Sequence, residues 1–539
     1  MPNLAPPPPT AASDYVFIRC RQLRVAAFVL VLLLSSHAPG VAAAEMSDPV
    51  VTVSGGQIRG RMLPDGNGVV FKGVPFAQPP VGERRWREPQ PVASWSGVRD
   101  AAVSGPPCAQ PRFGWNDHAA DTGSEDCLYL DVWAPNPQPD ARRPVMVWIH
   151  GGGNVAGAGG TDPLYDGRAF VRHDVVLVVI QYRLGVLGFL AHPELTRESS
   201  HHASGNYGIL DQIAALEWVR DNIARFGGDP HKVTVFGQSA GATDTLLLLT
   251  SPRTKGLIHR AIAESAAVPL GAGFPSLADA EQKGVRLGER VKVSAEHPLQ
   301  DLRTKPVAEL LLAASRGPDG FGGGNVDGWT FVAPPVDTFA RGRELGVPLL
   351  LGSNAREFPA DISAPEQRRS LQQMFGELAP RALALYDQST PDPRYGDRND
   401  QWGGDVFRCP AMVVGGWHRA AGHPTWEYQF DRAIPPRPDT AHSSELPYVF
   451  GNLYAEGSQG GAFQPADHQL SAIIQSYWTN FARTGDPNGA AVPAWPQYDE
   501  TGRQSLEFTR DAGVIVTHDQ RGPFCDLFRE AMKKSVASQ

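Results

Sequence analysis

A five-residue stretch, residues 237–241, limits the choice of fold more than any other part of the sequence. It reads Gly-Gln-Ser-Ala-Gly and separates an apolar stretch, residues 232–236, from a leucine-rich stretch, residues 240–249. The apolar stretch predicts a buried strand, and the leucine-rich stretch predicts a helix. G-x-S-x-G at such a junction is typical of a tight turn that holds the serine hydroxyl above a sheet. Ser239 is therefore predicted to be a nucleophile, and an ordinary turn serine is the alternative.

Apolar strands alternate with helical patterns over much of the chain. Residues 209–225 have helix-like spacing and end at Gly227-Gly228-Asp229-Pro230, where glycine ends a helix and proline prevents its continuation. This alternation predicts an α/β fold whose large, mostly parallel sheet is covered by helices on both faces. The sequence shows no linker and no internal repeat, so we predict one domain, residues 45–539. The other predicted strands are residues 50–53, 69–71, 145–149, 175–180, 348–351 and 425–430.

Composition excludes several classes of protein. The chain has 539 residues, of which 42% are hydrophobic and 20% charged, so it can bury a large core. Disordered, collagen-like and coiled-coil structures are excluded because neither a charge excess nor a short repeat is present. The net charge is -8 without a long basic run, which argues against a nucleic-acid partner.

The first 44 residues have the pattern of a secretory signal peptide. Arg19, Arg21 and Arg24 precede an apolar stretch, residues 25–34, and three alanines end at Ala44. A membrane-spanning helix needs about 20 apolar residues, so a stable membrane anchor is the weaker interpretation. We expect cleavage after Ala44 and export of the mature protein to the periplasm or the medium.

The cysteines fit an exported protein. Cys20 is lost on cleavage, and four cysteines remain: Cys108, Cys127, Cys409 and Cys525. An even number in an exported chain predicts two disulfides. Of the three connectivities we favour the local one, Cys108 with Cys127 and Cys409 with Cys525. Zinc binding is the alternative, but the sequence has no C-x-x-C and no close Cys/His pair.

A glycine run, Gly151 to Gly153, follows the predicted strand at residues 145–149. Glycines allow backbone N–H groups to approach a substrate oxygen without steric conflict. Such donors stabilise the oxyanion of a tetrahedral intermediate, whereas a flexible glycine turn is the alternative. His150, directly before the run, is expected to be structural rather than a proton carrier.

Two further stretches carry a family resemblance. Residues 71–77 read Phe-Lys-Gly-Val-Pro-Phe-Ala, and residues 125–133 read Glu-Asp-Cys-Leu-Tyr-Leu-Asp-Val-Trp. With the serine motif, they make the chain similar to the type-B carboxylesterase and cholinesterase family of α/β-hydrolases from about Pro49 to its end. The resemblance implies the α/β-hydrolase fold, and it implies that Cys127 is half of a disulfide.

The remaining catalytic residues should follow Ser239 in the order acid, then histidine. The residues alone leave both choices open, because many carboxylates and seven histidines lie downstream. The resemblance implies Glu357, just after the predicted strand at residues 348–351, as the acid, with a solvated surface carboxylate as the alternative. It also implies His442 as the base and Ser265 as a serine that supports the triad. The other downstream histidines are His259, His297, His418, His423, His468 and His518.

These roles imply a serine carboxylic-ester hydrolase that works through an acyl-enzyme. His442 would accept the Ser239 proton while Glu357 holds the imidazole. The N–H groups of Gly152, Gly153 and Ala240 would bind the oxyanion. The mechanism needs neither a metal nor an organic cofactor.

The substrate is open because the chain departs from the common family pattern. Asn154 stands where a bulky aromatic is frequent, Ala266 stands where glycine is usual, and Asp244 lies early on the nucleophile helix. A large polar substrate is one interpretation, since the resemblance extends to exported fumonisin-type esterases that cleave tricarballylate side chains. Free carboxylates pair well with arginine, and Arg356 is either such a partner or part of a surface ion pair.

Three other functions stay open at this point. They are a general small-ester carboxylesterase, a peptidase that uses the same triad, and a non-catalytic cholinesterase-like binding protein. Binding proteins of this kind have lost the serine or the histidine, and both residues are present here. The sequence does not predict the oligomeric state.

Overall fold

The strands of the protein are seen in a computed structural model that describes residues 48–267, 274–317, 319–358, 363–434, 437–453 and 463–537. The predicted signal peptide and the boundary at residue 45 lie outside these ranges, so both stay predictions. The strands are β1 (Val50–Val53), β2 (Gly56–Arg59), β3 (Arg61–Met62), β4 (Val69–Pro75), β5 (Val98–Asp100), β6 (Tyr129–Ala134), β7 (Arg143–Ile149), β8 (Val176–Ile180), β9 (Gly228–Gln238), β10 (Arg260–Glu264), β11 (Leu349–Asn354), β12 (Thr425–Phe430), β13 (Gln504–Phe508) and β14 (Val514–His518).

One sheet contains eleven of the described strands, in the order β14-β13-β12-β11-β10-β9-β7-β8-β6-β4-β3. In this spatial order, the seven consecutive strands from β13 to β8 run parallel to one another. The remaining strand pairs, toward both edges of the sheet, are antiparallel. The strands β1, β2 and β5 form a separate small sheet. The predicted large, mostly parallel sheet is therefore confirmed.

Helices cover both faces of the large sheet. On β7, Val145 and Val147 pack into one core cluster, whereas Met146 and Trp148 pack into a second cluster. This alternation follows from the two-residue period of a strand and requires apolar partners on each side. The helices are α1 (Asp117–Thr122), α2 (Arg168–Arg172), α3 (Gly185–Phe189), α4 (Pro193–Glu198), α5 (Tyr207–Asn222), α6 (Ala240–Thr250), α7 (Leu277–Arg290), α8 (Pro298–Thr304), α9 (Val307–Arg316), α10 (Pro335–Ala340), α11 (Ala364–Phe375), α12 (Ala379–Asp387), α13 (Arg398–Ala420), α14 (Leu446–Phe450), α15 (Pro465–Thr484) and α16 (Gly522–Ala537).

The break predicted after the long helix differs from the structure in one respect. Helix α5 is followed by a 3₁₀ turn that ends at Gly227, which has φ +84°. Strand β9 begins already at Gly228 and so includes Pro230, which we expected to lie in the break. The ladder with β7 shifts register between Arg143 and Val145, so the proline lies where regular pairing is interrupted.

The structure contains both predicted disulfides, Cys108–Cys127 and Cys409–Cys525. The second joins α13 to α16 across a sequence separation of 116 residues. In the described ranges, none of the helices combines the length and the apolar character needed to span a bilayer.

Candidate active site

Ser239 lies in a strained turn between β9 and α6. It has φ +57° and ψ -122°, a conformation that a non-glycine residue rarely adopts. A Cβ atom on Gly241 would lie 2.0 Å from the carbonyl oxygen of Ile149, and one on Gly237 would lie 2.5 Å from the Gly241 carbonyl carbon. The flanking glycines are therefore required because the turn packs directly against the end of β7. The predicted strand–turn–helix setting of the serine is confirmed.

The glycine run forms a tight turn beside this serine. Gly152 and Gly153 have φ +105° and φ +66°, and the Gly152 carbonyl accepts hydrogen bonds from the Val155 and Ala156 N–H groups. A Cβ on Gly152 would lie only 2.1 Å from the Ala156 oxygen. Glycine is thus needed here for conformation and for space. Gly152, Gly153 and Ala240, the predicted oxyanion donors, line one cavity together with Ser239.

His442 and Glu357 form a short, buried pair. The Nδ1 atom of His442 lies 2.6 Å from Oε2 of Glu357, and the side chain of Glu357 is fully buried. The other carboxylate oxygen accepts hydrogen bonds from the Ser265 hydroxyl and from the Asn354 N–H, both at 2.7 Å. These donors fix the carboxylate, and the carboxylate fixes the imidazole. The sequence resemblance therefore selected residues that the fold brings together.

A second carboxyl group lies behind this pair. The Asn354 side chain donates a hydrogen bond of 2.7 Å to Oε2 of Glu445. Burial, and next the nearby charge of Glu357, raise the pKa of Glu445 to about 7. Sequence reasoning did not identify Asn354 or Glu445, although Glu445 stands in the same short block as His442.

The second imidazole nitrogen of His442 contacts a residue that sequence reasoning did not single out. The side-chain amide nitrogen of Gln238 lies 3.1 Å from Nε2. An amide N–H that donates to Nε2 requires a lone pair there, and the ring proton then lies on Nδ1, facing Glu357. Within the described ranges, Nε2 makes no hydrogen bond to the Ser239 hydroxyl. One of these two side chains must move before the Ser239 hydroxyl proton can be transferred to Nε2.

The cavity above Ser239 has a volume of about 870 Å³, at the upper end of the roughly 300–1,000 Å³ of ligand pockets. Glycine residues and aromatic rings form much of its wall. The ring of Phe358 lies 4.2 Å from that of His442 between centroids. Lys283, on α7, is the one lysine or arginine among the described lining residues. The aromatic lining residues are Trp115, Tyr165, Phe274, Phe358 and Phe407.

Two of the departures from the family pattern contact each other. The Asn154 side chain donates a hydrogen bond of 2.9 Å to Oδ1 of Asp244, and Gln212 donates one of 2.6 Å to Oδ2. Burial raises the pKa of Asp244 to about 7. The third departure, Ala266, is buried directly after Ser265.

Arg356 does not line the cavity. Its guanidinium lies 2.8 Å from Asp439 and 3.4 Å from Asp400. Of the two interpretations of Arg356, the ion pair is the one the structure supports. His150 is buried, and burial lowers its pKa to about 4, so it is neutral at physiological pH.

One cluster in the described ranges has side chains that could hold a metal ion. Ligand atoms of Glu344, His418 and His423 lie within 4.8 Å of one another. Both ring nitrogens of His418 face acceptors, Glu344 at 2.7 Å and the Val347 carbonyl at 2.8 Å. These two contacts occupy both ring nitrogens of His418. The cluster lies where β11 and β12 begin, whereas Ser239 lies where the parallel strand β9 ends. The two are therefore at opposite ends of the parallel strands.

A serine in a strained turn at the end of a central parallel strand, followed along the chain by an acid and a histidine, is the arrangement of α/β-hydrolases. The fold and the chain order of Ser239, Glu357 and His442 place this protein in that class. Residues 47–523 match the carboxylesterase family. The chain belongs to the carboxylesterase family and is an enzyme that hydrolyses carboxylic esters.

Individual relatives agree with this assignment. The chain is 36% identical over 453 residues to a protein named fumonisin B1 esterase from Sphingopyxis macrogoltabida, covering 81% of this chain and 83% of that protein. It is 37% identical over 490 residues to carboxylesterase 1E of Rattus norvegicus, covering 80% and 84%. A solved carboxylesterase of Geobacillus stearothermophilus superposes with a TM-score of 0.78 at 34% identity, covering 89% and 99%.

Proposed function

We propose that this protein is an exported serine carboxylesterase that works through an acyl-enzyme formed on Ser239. The observation that carries the proposal is the 2.6 Å contact between the buried Glu357 and His442, which lines the same cavity as the strained serine. Such a contact fixes the imidazole tautomer that can accept a proton at Nε2.

The first half of the reaction begins at the serine hydroxyl. His442 accepts the proton through Nε2 as Ser239 attacks the ester carbonyl, and Glu357 stabilises the imidazolium. The N–H groups of Gly152, Gly153 and Ala240 donate hydrogen bonds to the oxyanion. The imidazolium then gives its proton to the departing alcohol. Water hydrolyses the acyl-enzyme by the same sequence of steps.

The substrate we propose is a large ester that carries free carboxylates, such as a tricarballylate ester of the fumonisin type. Three observations support it: the large cavity, the similarity to a protein named fumonisin B1 esterase, and Lys283. Lys283 lines the cavity without a hydrogen bond or ion pair to any described residue. An ammonium group in that position can pair with a carboxylate of the substrate.

The activity is tested with Ser239→Ala and an ester panel from p-nitrophenyl acetate to a tricarballylate ester. We expect wild-type turnover and a loss of about 10³-fold or more in the variant. A burst of one alcohol equivalent per site in the wild type would demonstrate the acyl-enzyme. A folded wild type that hydrolyses none of the esters would refute the proposal and favour the binding-protein alternative.

The substrate class is tested with Lys283→Met on a matched pair, a tricarballylate ester with free carboxylates and the same ester with those groups methylated. We expect kcat/KM to fall about tenfold for the anionic ester only, because a charge-assisted bond is lost. Lys255→Met, at an exposed lysine outside the cavity, is the control. Equal losses on both esters would exclude carboxylate recognition by Lys283.

Export is tested by amino-terminal sequencing of the protein recovered from the periplasm or the medium. We expect the mature chain to begin at Glu45, as cleavage after Ala44 requires. Recovery of a full-length chain in the membrane fraction would contradict the signal-peptide prediction.

A further inference from the structure

Asn154 and Asp244 join two elements that each supply proposed oxyanion donors. Asn154 directly follows Gly153 in the glycine turn, and Asp244 lies on α6, the helix that begins at Ala240. The hydrogen bond between their side chains is 2.9 Å long and buried at both ends. It is therefore a direct link from the glycine turn to the nucleophile helix.

The link is part of a longer buried chain of hydrogen bonds. The Tyr182 hydroxyl lies 2.9 Å from the Asn154 side-chain oxygen and 2.8 Å from the His150 carbonyl. At the other end, Gln212 on α5 donates to Asp244 at 2.6 Å. Asn154 also accepts the Gly185 N–H through its own carbonyl, at 2.7 Å, and has φ +57°. These contacts leave the side chain of Asn154 with little freedom to turn.

We propose that Asp244 is a positioning residue that keeps the glycine turn in register with α6, so that Gly152, Gly153 and Ala240 converge on one oxyanion. The inference rests on the proposed function and names a further residue for the same site. An oxyanion hole assembled from two separate elements depends on their spacing, because a displacement of about 1 Å can cost about 10²-fold in rate. The hydrogen bond between Asn154 and Asp244 fixes that spacing where a common family member has an aromatic side chain.

For this role the hydrogen bonds of the Asp244 side chain matter more than its charge. Both partners of Asp244 are neutral amides, and the Tyr182 phenol, whose pKa is raised first by burial, lies close enough for the charge of Asp244 to raise that pKa further. An amide at position 244 can keep both bonds: its oxygen accepts from Asn154, and its nitrogen donates to Gln212 after that amide turns over. The oxygen of Gln212 is buried without a partner and so is free to accept.

The test compares variants that break the link with variants that keep it. Asp244→Ala removes both acceptors, and we expect kcat to fall about 10- to 100-fold while KM changes little. Affinity for a trifluoromethyl ketone, whose adduct with Ser239 carries an oxyanion, should fall in parallel. Asp244→Asn should retain most of both. Thr250→Ala, which removes a buried hydrogen bond at the far end of α6, is the control for a loss of stability alone.

An exchange of the two residues gives the sharper test. Measured at pH 9, where Asp244 is ionised, Asn154→Asp alone sets two carboxylates against each other and should lower kcat. Combining it with Asp244→Asn restores an amide donor and a carboxylate acceptor: Tyr182 still donates to position 154, and Gln212 still donates to position 244. We expect the double variant to recover kcat and ketone affinity to within about threefold of wild type, as coupled sites do.

The outcomes separate this inference from the proposed function. A wild type without esterase activity would refute the proposed function itself. An active wild type, with Asp244→Ala turning over at the same kcat per folded site, would refute the positioning role alone. So would an exchange variant that is no better than Asn154→Asp. If Asp244→Ala does not fold, the exchange pair still decides the question.

Discussion

Two buried carboxylates flank Ser239, and their surroundings differ in one decisive respect. Glu357 accepts hydrogen bonds from Ser265 and Asn354 and also faces an imidazole. Within the described ranges, Asp244 accepts hydrogen bonds from two neutral amides and from no imidazole. A carboxylate beside an imidazole can stabilise a positive charge that forms during the reaction, whereas one between amides can only hold backbone in place. We therefore propose that Glu357 stabilises the imidazolium during the reaction, and that Asp244 only positions the backbone around the oxyanion.

The strongest test of this contrast replaces each carboxylate by its amide. Since Oε1 of Glu357 accepts two hydrogen bonds, Glu357→Gln must turn its NH₂ group toward Nδ1 of His442. That donor would force the ring proton onto Nε2. The nitrogen that must accept the Ser239 proton would then have no free lone pair. We expect kcat to fall about 10³- to 10⁴-fold, against a small change for Asp244→Asn. Steady-state kinetics of the two variants decide it, and similar losses in both would remove the contrast.

The second test concerns stability as a function of pH. The pKa of Asp244 is about 7 in the folded protein, above its value in an unfolded chain. The folded state therefore binds the proton more tightly, and stability is lost as the pH rises from about 4 through 7. Asp244→Asn removes this loss, which can reach roughly 2–4 kcal/mol for such a shift.

The measurement is the difference in Tm between Asp244→Asn and wild type at pH 5 and at pH 8. We expect the variant to gain on the wild type at pH 8, because other titrating groups are common to both and cancel. A difference that does not change with pH would mean that Asp244 titrates outside this range in the folded protein.

Much of this arrangement follows from short sequence patterns, because local backbone chemistry sets it. The glycines around Ser239 and in the turn at Gly152 are demanded by close approaches to Ile149 and Ala156, so their spacing alone is enough to identify the turns. Strands β1 and β12 match the predicted bounds because β-branched and aromatic residues, which favour strands, make up most of each. Glu357 and His442 follow from family resemblance, since chain order alone leaves many candidates.

The contacts that sequence reasoning missed join residues far apart in the chain. Asn154 and Asp244 stand out as departures from the family pattern, but their separation of 90 residues hides the hydrogen bond between them. Lys283 stands on α7, an amphipathic helix whose pattern does not show which face meets the cavity. The sequence leaves Arg356 open between a substrate partner and an ion pair, because nothing local to it indicates Asp439 or Asp400.

A smaller effect is expected from the neutral donors to Glu357. Ser265→Ala removes one of the two hydrogen bonds to Oε1 of Glu357 and leaves the Asn354 N–H in place. A hydrogen bond to a charged group contributes about 1.5–3 kcal/mol, so partial compensation should give a roughly tenfold loss in kcat/KM. Kinetics of Ser265→Ala beside Ser265→Thr, which keeps the hydroxyl, measure it. Equal losses in both variants would show packing, rather than the hydrogen bond, to be the cause.

The smallest effect is expected from a negative charge placed beside Nε2 of His442. Gln238 places a neutral amide 3.1 Å from Nε2 of His442, and Gln238→Glu would place a carboxylate there. A carboxylate stabilises the imidazolium, so the base form of His442 is lost at a higher pH than in the wild type. We expect the acid limb of the pH–kcat/KM profile to move upward by about 1 pH unit, with the rate at pH 9 nearly unchanged. Gln238→Met, which is neutral and of similar length, should leave the limb in place. If Gln238→Glu also leaves the acid limb in place, the negative charge that stabilises the imidazolium of His442 during turnover comes from Glu357 alone. The contrast between Glu357 and Asp244 then becomes sharper.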